Sequence, residues 1–351
     1  MTLRHNVNLQ PYHTFGLSAS ADTFVEVDPF YSEELDDLLR SEVLNREHLI
    51  LGEGSNVVFL HNYPGVVVRM VGSHIRFQTD RDSVLCIASA GTRMDELIRE
   101  TLVYGAYGLE NLSAIPGTVG AAPVQNVGAY GVEAGDRIES VSVYDFHQGC
   151  RRTLSNEDCR FGYRSSVFKQ EPGRYLVLDV TFRLSRRFEP NLSYQALANF
   201  LSDSGTPHPS PAQLRSAIEQ VRWSKLPRVE ETGSAGSFFK NPVVSQAVFA
   251  RLSGRFPQLS GHKTGEGYKL SAAWLVDAAG WRGRRVGGAG VYERQPLVLV
   301  NLGRCTGDDL QQLCAAIQND VFRQFGIWLQ PEAIMVPASE SVVRDEPNGV
   351  G

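Results

Sequence analysis

The stretch ENLSAIPGTVGAAPVQNVGAYGVE, residues 110–133, is dense in glycine and alanine and contains the adjacent amides Gln125 and Asn126. So many small residues indicate that a flat group lies against the segment, because glycine lets backbone N–H groups approach a ligand closely and adopts positive φ angles. A second glycine-rich segment, LGEGSNVVF at residues 51–59, lies between two apolar runs, as in a strand–loop–strand turn. Both segments are candidates for binding phosphate groups.

Each segment alone has a simpler interpretation. The shorter segment, residues 51–59, can be a tight hairpin. The longer segment, residues 110–133, can be a structural loop packed on its own protein. Neither matches G-x-x-x-x-G-K-[ST], and neither gives G-x-G-x-x-G at a strand-to-helix turn. These patterns disfavour nucleotide-triphosphate hydrolysis and the commonest NAD-binding fold.

The composition is that of an ordinary globular protein of 351 residues, with 42% hydrophobic and 21% charged residues and a net charge of −5. This length exceeds what one hydrophobic core usually organises, so we expect two or three domains. The charge gives no field for recruiting nucleic acid, and no apolar run approaches the roughly 18 residues of a membrane span. The N-terminus lacks a signal-peptide core and the five cysteines form no C-x-x-C pair, so we expect a cytoplasmic protein with reduced cysteines and no metal site.

Alternating and fully apolar patterns interleave with helical stripes, which indicates a mixed α and β fold. Residues 174–184, RYLVLDVTFRL, alternate with a period of two, as in a strand with one buried face. The helices that we predict with the clearest ends are one after the strand at 84–91 with a capping-box-like start from Thr92 and Asp95, one beginning at Ser210 and Pro211, and one beginning at Thr306 and ending at Gly326.

Two turn-rich segments are candidate domain boundaries, at residues 202–211 and 225–237, and the second is favoured. The tail, residues 337–351, is polar and lacks periodicity, so we expect a loosely attached end. We assign no chemistry to this tail.

Seven motifs occur in the order seen in UDP-N-acetylenolpyruvoylglucosamine reductases, flavoenzymes of bacterial peptidoglycan synthesis, and the chain resembles that family over nearly its whole length. The resemblance implies an α+β fold, with a two-part FAD-binding domain of the vanillyl-alcohol oxidase or PCMH type and a C-terminal α+β substrate-binding domain. The motifs are HTFGLSASA (13–21), LGEGSNVVF (51–59), GLENLSAIPGTVGAAPVQNVGAYGVE (108–133), CRFGYRSSVFK (159–169), GSAGSFFKNPV (233–243), KLSAAWLVDAAG (269–280) and WLQPEA (328–333).

The resemblance also implies domain bounds and cofactors. It places one FAD-binding subdomain at residues 1–70, joined by a C-terminal segment near 330–351, a second at 71–225, and the substrate-binding domain at 226–329. It implies non-covalent FAD, NADPH as the reductant, and a monomer that neither binds nucleic acid nor inserts into a membrane. Both glycine-rich loops then bind FAD, with backbone amides meeting its pyrophosphate. The residues assigned to FAD are Gly52, Glu53, Gly54, Ser55, Asn56, Val57, Ile115, Pro116, Gly117, Gly120, Ala121, Ala122, Gln125, Asn126, Gly128, Tyr130 and Gly131.

Three residues from distant segments are the expected catalytic groups. By resemblance, Arg164, Ser237 and Glu332 flank the enolpyruvyl group of UDP-N-acetylglucosamine enolpyruvate. Hydride from NADPH reaches the β-carbon of this enol ether through FAD, and the α-carbon and carboxylate develop enolate-like charge. Arg164 and Glu332 stabilise that charge, and Ser237 supplies the proton that completes UDP-N-acetylmuramate. Read without the resemblance, each residue has an ordinary structural explanation.

The substrate-binding residues follow from the resemblance with one departure in the last motif. Tyr194 matches the mobile tyrosine loop of one subgroup, and two lysines and an asparagine match positions near the diphosphate and sugar. Many relatives have glutamate where this chain has Gln330, which leaves Glu332 as the one carboxyl of WLQPEA. The residues assigned to the substrate are Tyr163, Tyr194, Lys225, Asn241, Lys269 and Gln295.

Two other functions stay open at this point. Another FAD-dependent oxidoreductase of the same cofactor fold, such as an oxidase of small alcohols, would keep both glycine-rich loops but have no use for Ser237, Arg164 and Glu332 together. A nucleotide-sugar-binding protein without turnover would keep the fold alone. Reduction of bound flavin by NADPH and its reoxidation by the substrate separate these alternatives.

Overall fold

Strands and helices alternate along the chain, as the hydrophobic patterns predict. The structure is a computed structural model that describes residues 1–265 and 267–336. The tail at 337–351, for which we expect a loosely attached end, lies outside the described residues. The strands are β1 (Thr2–Asn8), β2 (Ser20–Val27), β3 (His48–Leu51), β4 (Val57–Phe59), β5 (Tyr63–Met70), β6 (Ile75–Asp80), β7 (Ser83–Ser89), β8 (Gly128–Ala129), β9 (Val132–Glu133), β10 (Ile138–Asp145), β11 (Cys150–Ser155), β12 (Tyr175–Ser185), β13 (Gly233–Ser237), β14 (Val243–Val244), β15 (Gly261–Thr264), β16 (Gly267–Leu270), β17 (Arg285–Val286), β18 (Ala289–Val291), β19 (Val298–Asn301) and β20 (Ile334–Val336).

The predicted helices are present. The last one has the predicted ends: the Thr306 hydroxyl and the Asp309 carboxylate form a capping box, and Gly326 ends the helix at φ 70°. The helices are α1 (Ser32–Arg40), α2 (Met94–Tyr104), α3 (Val167–Gln170), α4 (Gln195–Asp203), α5 (Pro211–Lys225), α6 (Gln246–Arg255), α7 (Ala272–Ala278) and α8 (Gly307–Phe325).

The predicted capping box at the start of α2 is wrong. Arg93 is the N-cap residue and no side chain caps the helix. The Thr92 hydroxyl lies 3.1 Å from the Ser89 hydroxyl, and the Asp95 carboxylate accepts the Ala114 N–H at 2.8 Å. The tertiary structure therefore uses both side chains elsewhere, which a local pattern cannot reveal.

The chain divides into two compact units, and unit 1 comprises Met1–Val7, Ala21–Glu53 and Pro64–Ser224. It contains a four-stranded sheet of order β1-β2-β5-β3 and a five-stranded antiparallel sheet of order β11-β10-β12-β7-β6. The strand predicted at 174–184 is β12, in the middle of the larger sheet. Apolar side chains of both sheets, α1 and α2 form one core, and α4 and α5 pack around a smaller apolar cluster.

Unit 2 comprises Asn8–Ser20, Gly54–Tyr63 and the described residues from Lys225 onward. It contains the sheets β13-β19-β18-β17 and β14-β16-β15 and the parallel pair of β4 with β20, and its core includes α7 and α8. The hairpin alternative for residues 51–59 is wrong, because β3 pairs with β5 whereas β4 pairs with β20. The predicted three-part domain division stays a prediction.

A buried carboxylate, Asp145, lies at the end of β10 in the larger sheet of unit 1. Its side chain is fully buried and pairs with Arg174 at 2.9 Å and with Arg152 at 3.2 Å, and it also accepts the His147 N–H. The Arg174 guanidinium lowers the pKa of Asp145 to about 2. This network therefore stabilises the sheet only while the carboxyl is ionised.

Replacing this carboxylate tests that statement. We expect Asp145→Asn to unfold at a lower urea concentration than the wild type at neutral pH, because the buried amide no longer compensates the charges of Arg152 and Arg174, although Arg174 keeps its ion pair with Glu171. A carboxyl whose folded pKa is depressed contributes stability above its unfolded pKa of about 3.9 and loses it as the pH falls through the folded value.

The difference in urea midpoint between the two proteins should therefore be full above pH ~4 and shrink toward pH 2. Asp80→Asn is the control, since Asp80 is exposed and its pairing with Arg183 at 3.6 Å is weak. A midpoint difference that stays constant across this range would contradict the ionic role of Asp145.

Candidate active site

The shorter glycine-rich loop joins β3 to β4 and requires glycine at Gly54. This residue has φ 64°, and a Cβ there would lie 2.2 Å from the Tyr12 carbonyl oxygen and 2.7 Å from Cα of His13. Among residues 1–265 and 267–336, the backbone N–H groups of Glu53 and Gly54 have no protein acceptor. Adjacent N–H groups of this kind form a concave site for an anion such as a phosphate.

The two glycine-rich loops contact each other within unit 1. The Glu53 carboxylate accepts the Gly117 N–H at 2.5 Å and pairs with Arg93 at 2.8 Å. A Cβ on Gly52 would lie 2.6 Å from the Thr118 hydroxyl oxygen. Segments that lie 64 residues apart therefore form one surface, which is the arrangement that a dinucleotide binding along both loops needs.

Three consecutive backbone amides in the longer loop already donate to carbonyl groups of the protein. The Gly120 N–H already donates to the Ala90 carbonyl at 2.9 Å, and those of Ala121 and Ala122 donate to the Thr118 carbonyl. We expected amides of both loops to meet the pyrophosphate; in the longer loop these three are already used by the protein. A Cβ on Gly120 would lie 2.6 Å from Cβ of Ala90, so this glycine also lets the loop lie close to the end of β7.

The C-terminal half of the longer loop is tied to neighbouring turns. The Asn126 side-chain amide donates to the Glu133 carboxylate at 2.6 Å and to the Gly162 carbonyl at 3.2 Å, and its oxygen accepts the Gly135 N–H. The Tyr130 carbonyl accepts from the Asn111 side chain at 2.8 Å. The Asn126 side chain therefore holds the loop in position through these hydrogen bonds. The predicted residues Val57, Ile115, Pro116, Gln125 and Gly128 are half-buried in these loops.

Arg164 lies beside the longer loop, as the predicted roles require. It occupies a tight turn closed by mutual backbone hydrogen bonds between Gly162 and Ser165, and its φ is 53°. Its guanidinium donates to the Gly128 carbonyl at 3.1 Å and lies over the exposed Tyr163 ring at 5.3 Å. The structure therefore brings one predicted catalytic cation to the predicted cofactor loop.

Ser237 and Glu332 come together within unit 2. Ser237 is the exposed last residue of β13, after Gly236 at φ 68°, and the next carbonyl, of Phe238, accepts the Glu332 N–H at 2.7 Å. The Asn56 side chain donates to the Glu332 carbonyl at 3.1 Å. A backbone hydrogen bond thus joins the segment that carries the Ser237 hydroxyl to the segment that carries the Glu332 carboxyl.

The predicted substrate residues are placed in both units, each described within its own unit. In unit 1, the exposed Tyr194 packs edge-on against Tyr130 at 5.3 Å. In unit 2, the Asn241 side chain accepts the Ala272 N–H at the start of α7, and Lys269 lies on β16 opposite Val243. Lys225 is the last residue of α5, and the Gln295 carbonyl accepts the Val298 N–H.

Sequence reasoning missed three residues that contact the predicted site. Arg93 pairs with Glu53, the buried His13 lies against Gly54, and Arg222 interacts with Tyr130. Two of these residues lie close in sequence to predicted site residues or motifs, which could have indicated them. Arg222 lies one turn before Lys225, and His13 begins the motif at residues 13–21. Nothing in the local pattern distinguishes these side chains from surface residues.

Two family models match the chain. The model described as an FAD binding domain matches residues 30–155, and the C-terminal domain of UDP-N-acetylenolpyruvoylglucosamine reductase matches residues 228–336. Together they confirm the predicted fold class, an FAD-binding domain followed by the C-terminal domain of that family. The first match contains both glycine-rich loops, and the second contains Ser237 and Glu332. No helix in the described part of the chain has the length and apolarity needed to cross a membrane.

Curated relatives match along nearly the whole chain. The UDP-N-acetylenolpyruvoylglucosamine reductase of Chromobacterium violaceum is 45% identical over 343 residues, which cover 96% of this chain and 100% of that protein. The corresponding protein of Pseudomonas aeruginosa is 41% identical, with 95% and 98% covered. The crystal structure of the reductase from Thermus caldophilus superposes with a TM-score of 0.66 at 26% identity, covering 96% of this chain and 100% of that one.

The geometry at Gly54 predicts a selective loss of FAD. We expect Gly54→Ala to retain much less FAD after purification. The added Cβ would clash with the Tyr12 carbonyl oxygen, so the loop that carries the Glu53 and Gly54 amides must move. Bound flavin per protein, measured from the absorbance spectrum, reports the effect.

The control is Gly205→Ala, because Gly205 has a similar φ of 71° but no atom within 4 Å of the new Cβ. That variant should lose about 1 kcal/mol of stability from backbone strain and keep its FAD. Equal FAD content in the two variants would show that the loop does not hold the cofactor.

Proposed function

We propose a reaction for this chain, which belongs to the family of UDP-N-acetylenolpyruvoylglucosamine reductases. The chain reduces UDP-N-acetylglucosamine enolpyruvate to UDP-N-acetylmuramate with NADPH and FAD. The reaction supplies a precursor of peptidoglycan. The observation that carries the proposal is the hydrogen bond from the Glu332 N–H to the carbonyl of Phe238, the residue after Ser237, which joins the two segments within the matching C-terminal domain. An acid and a proton donor held together suit protonation at carbon.

The residues of the two loops fit FAD. The N–H groups of Glu53 and Gly54 suit a phosphate, and the small residues of the longer loop leave room for a flat ring system against it. When bound, FAD supplies the two-electron chemistry that links NADPH to the enol ether. We propose that it is held without a covalent bond.

In this proposal, Arg164 stabilises negative charge on the enolpyruvyl carboxylate. A guanidinium cannot lose its proton in a protein, so it provides charge without taking part in proton transfer. Its hydrogen bond to the Gly128 carbonyl and its position over the Tyr163 ring hold it in one orientation. A preoriented cation stabilises developing charge without reorganising during the reaction.

Ser237 donates the proton to the α-carbon, and Glu332 assists at the developing charge. The serine is exposed at the end of β13, where Gly236 supplies a backbone conformation that a side chain would strain. The backbone N–H of Glu332 donates to the Phe238 carbonyl and so places this residue in the site. Gln330, two residues earlier, is exposed. We assign Glu332, not position 330, as the catalytic carboxyl because an amide neither donates an acidic proton nor changes charge.

The diphosphate and sugar need a few placed donors, because the net charge of −5 gives no attraction for an anion. We assign this role to Tyr163, Tyr194, Lys225, Asn241, Lys269 and Gln295. We also propose that the enzyme works as a monomer in the cytoplasm. The five free cysteines agree with a reducing compartment.

The role of Ser237 predicts damage to one half of the reaction. We expect Ser237→Ala to slow substrate reduction by about 100- to 10,000-fold while reduction of the flavin by NADPH stays nearly intact, because only protonation at carbon needs the hydroxyl. Anaerobic stopped-flow absorbance of the flavin separates the two steps.

The matched control is Ser234→Ala in the same strand, since Ser234 bonds to Thr14 through its backbone N–H and carbonyl. It should leave both steps unchanged. Equal slowing of both steps by Ser237→Ala would reject the proton-donor role.

The assignment of the carboxyl predicts which position matters. We expect Glu332→Gln to slow the substrate half-reaction selectively by about 100-fold or more, because it removes the ionisable group without changing the shape of the side chain. Gln330→Glu combined with Glu332→Gln should not restore the rate, measured in the same assay. Full turnover in Glu332→Gln would show that the carboxyl is structural.

A further inference from the structure

Ala114, near the start of the longer glycine-rich loop, has a backbone conformation that alanine seldom adopts. Its φ is 58°, in the left-handed region, where Cβ lies too close to the following carbonyl oxygen. This steric cost disfavours an alanine there, relative to a glycine, by a factor of about 5 to 30. A backbone conformation of this kind persists only when surrounding groups hold it.

Two other residues of the longer loop have a positive φ without being glycine, and each has a side chain that fixes it. Asn126, with φ 46°, donates through its side-chain amide to the Glu133 carboxylate. Tyr130, with φ 49°, has its carbonyl bonded by Asn111, and its ring is packed. Ala114 has only a methyl group, so its conformation depends on a group outside the loop.

The Asp95 carboxylate, in the first turn of α2, is that group. One of its oxygens accepts the Ala114 N–H at 2.8 Å. Both of its oxygens accept from the Arg215 guanidinium at 2.9 Å, in two parallel hydrogen bonds. Arg215 is mostly buried on α5 and also pairs with Glu219 at 2.8 Å. A bidentate pair of this kind fixes the orientation of the carboxylate, and its remaining hydrogen bond goes to the loop.

The other end of the segment 114–117 is held in a similar way. The Gly117 N–H donates to the Glu53 carboxylate, which pairs with Arg93. The Gly117 carbonyl accepts the Met94 N–H at 2.9 Å. A carboxylate that is itself bonded to an arginine therefore holds each end of this segment. The residues between those ends are among those assigned above to FAD.

We infer that Asp95 is a positioning residue of the candidate FAD site. Its carboxylate, oriented by Arg215, holds Ala114 in the left-handed conformation and so fixes residues 115–117 in the arrangement that binds FAD. The inference rests on the proposed function, in which these residues contact FAD. Asp95 acts through the backbone of the loop and is not assigned a contact with the cofactor.

The affinity of Asp95→Ala for FAD tests this role. FAD is titrated into the FAD-free protein and followed by flavin fluorescence. We expect binding about tenfold weaker or more, the effect of losing a hydrogen bond to a charged acceptor. The matched control is Glu96→Ala, because Glu96 is also acidic in the first turn of α2 but bonds to the exposed Ser73 hydroxyl. This control should bind FAD as the wild type does.

A second substitution distinguishes positioning of the loop from a general structural role. Ala114→Gly adopts a positive φ without steric cost, so the loop then needs less support from Asp95. We expect the loss of FAD affinity caused by Asp95→Ala to be about fivefold smaller when Ala114→Gly is also present. If Asp95 only stabilised the fold through its pair with Arg215, Ala114→Gly would leave that loss unchanged.

Ala114→Val tests the same point while keeping the pair of Asp95 with Arg215 intact. A β-branched side chain is unfavourable at positive φ, so we expect this variant to bind FAD about tenfold more weakly. Ala114→Gly alone should bind FAD as the wild type does.

Three results would overturn the inference. Asp95→Ala could bind FAD as tightly as the wild type does, Ala114→Val could do so, or Ala114→Gly could fail to reduce the loss caused by Asp95→Ala. A wild-type protein that does not bind FAD would instead reject the proposed function, so the two failures are distinguishable.

Discussion

The Glu53 carboxylate joins the two glycine-rich loops, and the arrangement of the candidate cofactor site in unit 1 depends on it. Glycine-rich segments lose more conformational freedom on folding than other segments, so they adopt one structure only when specific interactions fix them. Glu53 provides such an interaction by accepting the Gly117 N–H and pairing with Arg93. In the part of the chain that the structure describes, neither its own N–H nor that of Gly54 has a protein acceptor. One side chain thus orders two loops and leaves donors for an anion.

Backbone hydrogen bonds have the corresponding role in unit 2. Ser237 and Glu332 come from segments that no local pattern connects, and the bond between the Glu332 N–H and the Phe238 carbonyl joins these segments. The parallel pairing of β4 with β20 and the bond from Asn56 to the Glu332 carbonyl hold the same segment from its other side. The reacting groups are therefore positioned by strands rather than by flexible side chains, which suits a site that must be preorganised.

The sequence predicted the elements whose signals are local and missed those that depend on tertiary contacts. The period of two in β12 and the ends of α8 come from neighbouring residues, so they were predictable. The prediction that Thr92 and Asp95 cap α2 was wrong because both side chains bond to residues outside the helix. Thr92 contacts Ser89, and Asp95 accepts the Ala114 N–H. The sequence could not show that amides of the longer loop donate to protein carbonyl groups, because this depends on which backbone segment folds against the loop. The candidate site residues came from the resemblance of seven motifs, since composition and spacing alone gave only two possible phosphate loops.

We propose that this chain transfers hydride from NADPH to UDP-N-acetylglucosamine enolpyruvate through FAD. The most direct test is anaerobic stopped-flow absorbance of the purified wild-type protein, with NADPH added first and the enol ether second. We expect rapid loss of the oxidised flavin absorbance and its recovery when the enol ether is added. Loss without recovery would contradict the proposed substrate, and a protein that neither contains FAD nor binds added FAD would contradict the proposed flavin chemistry altogether.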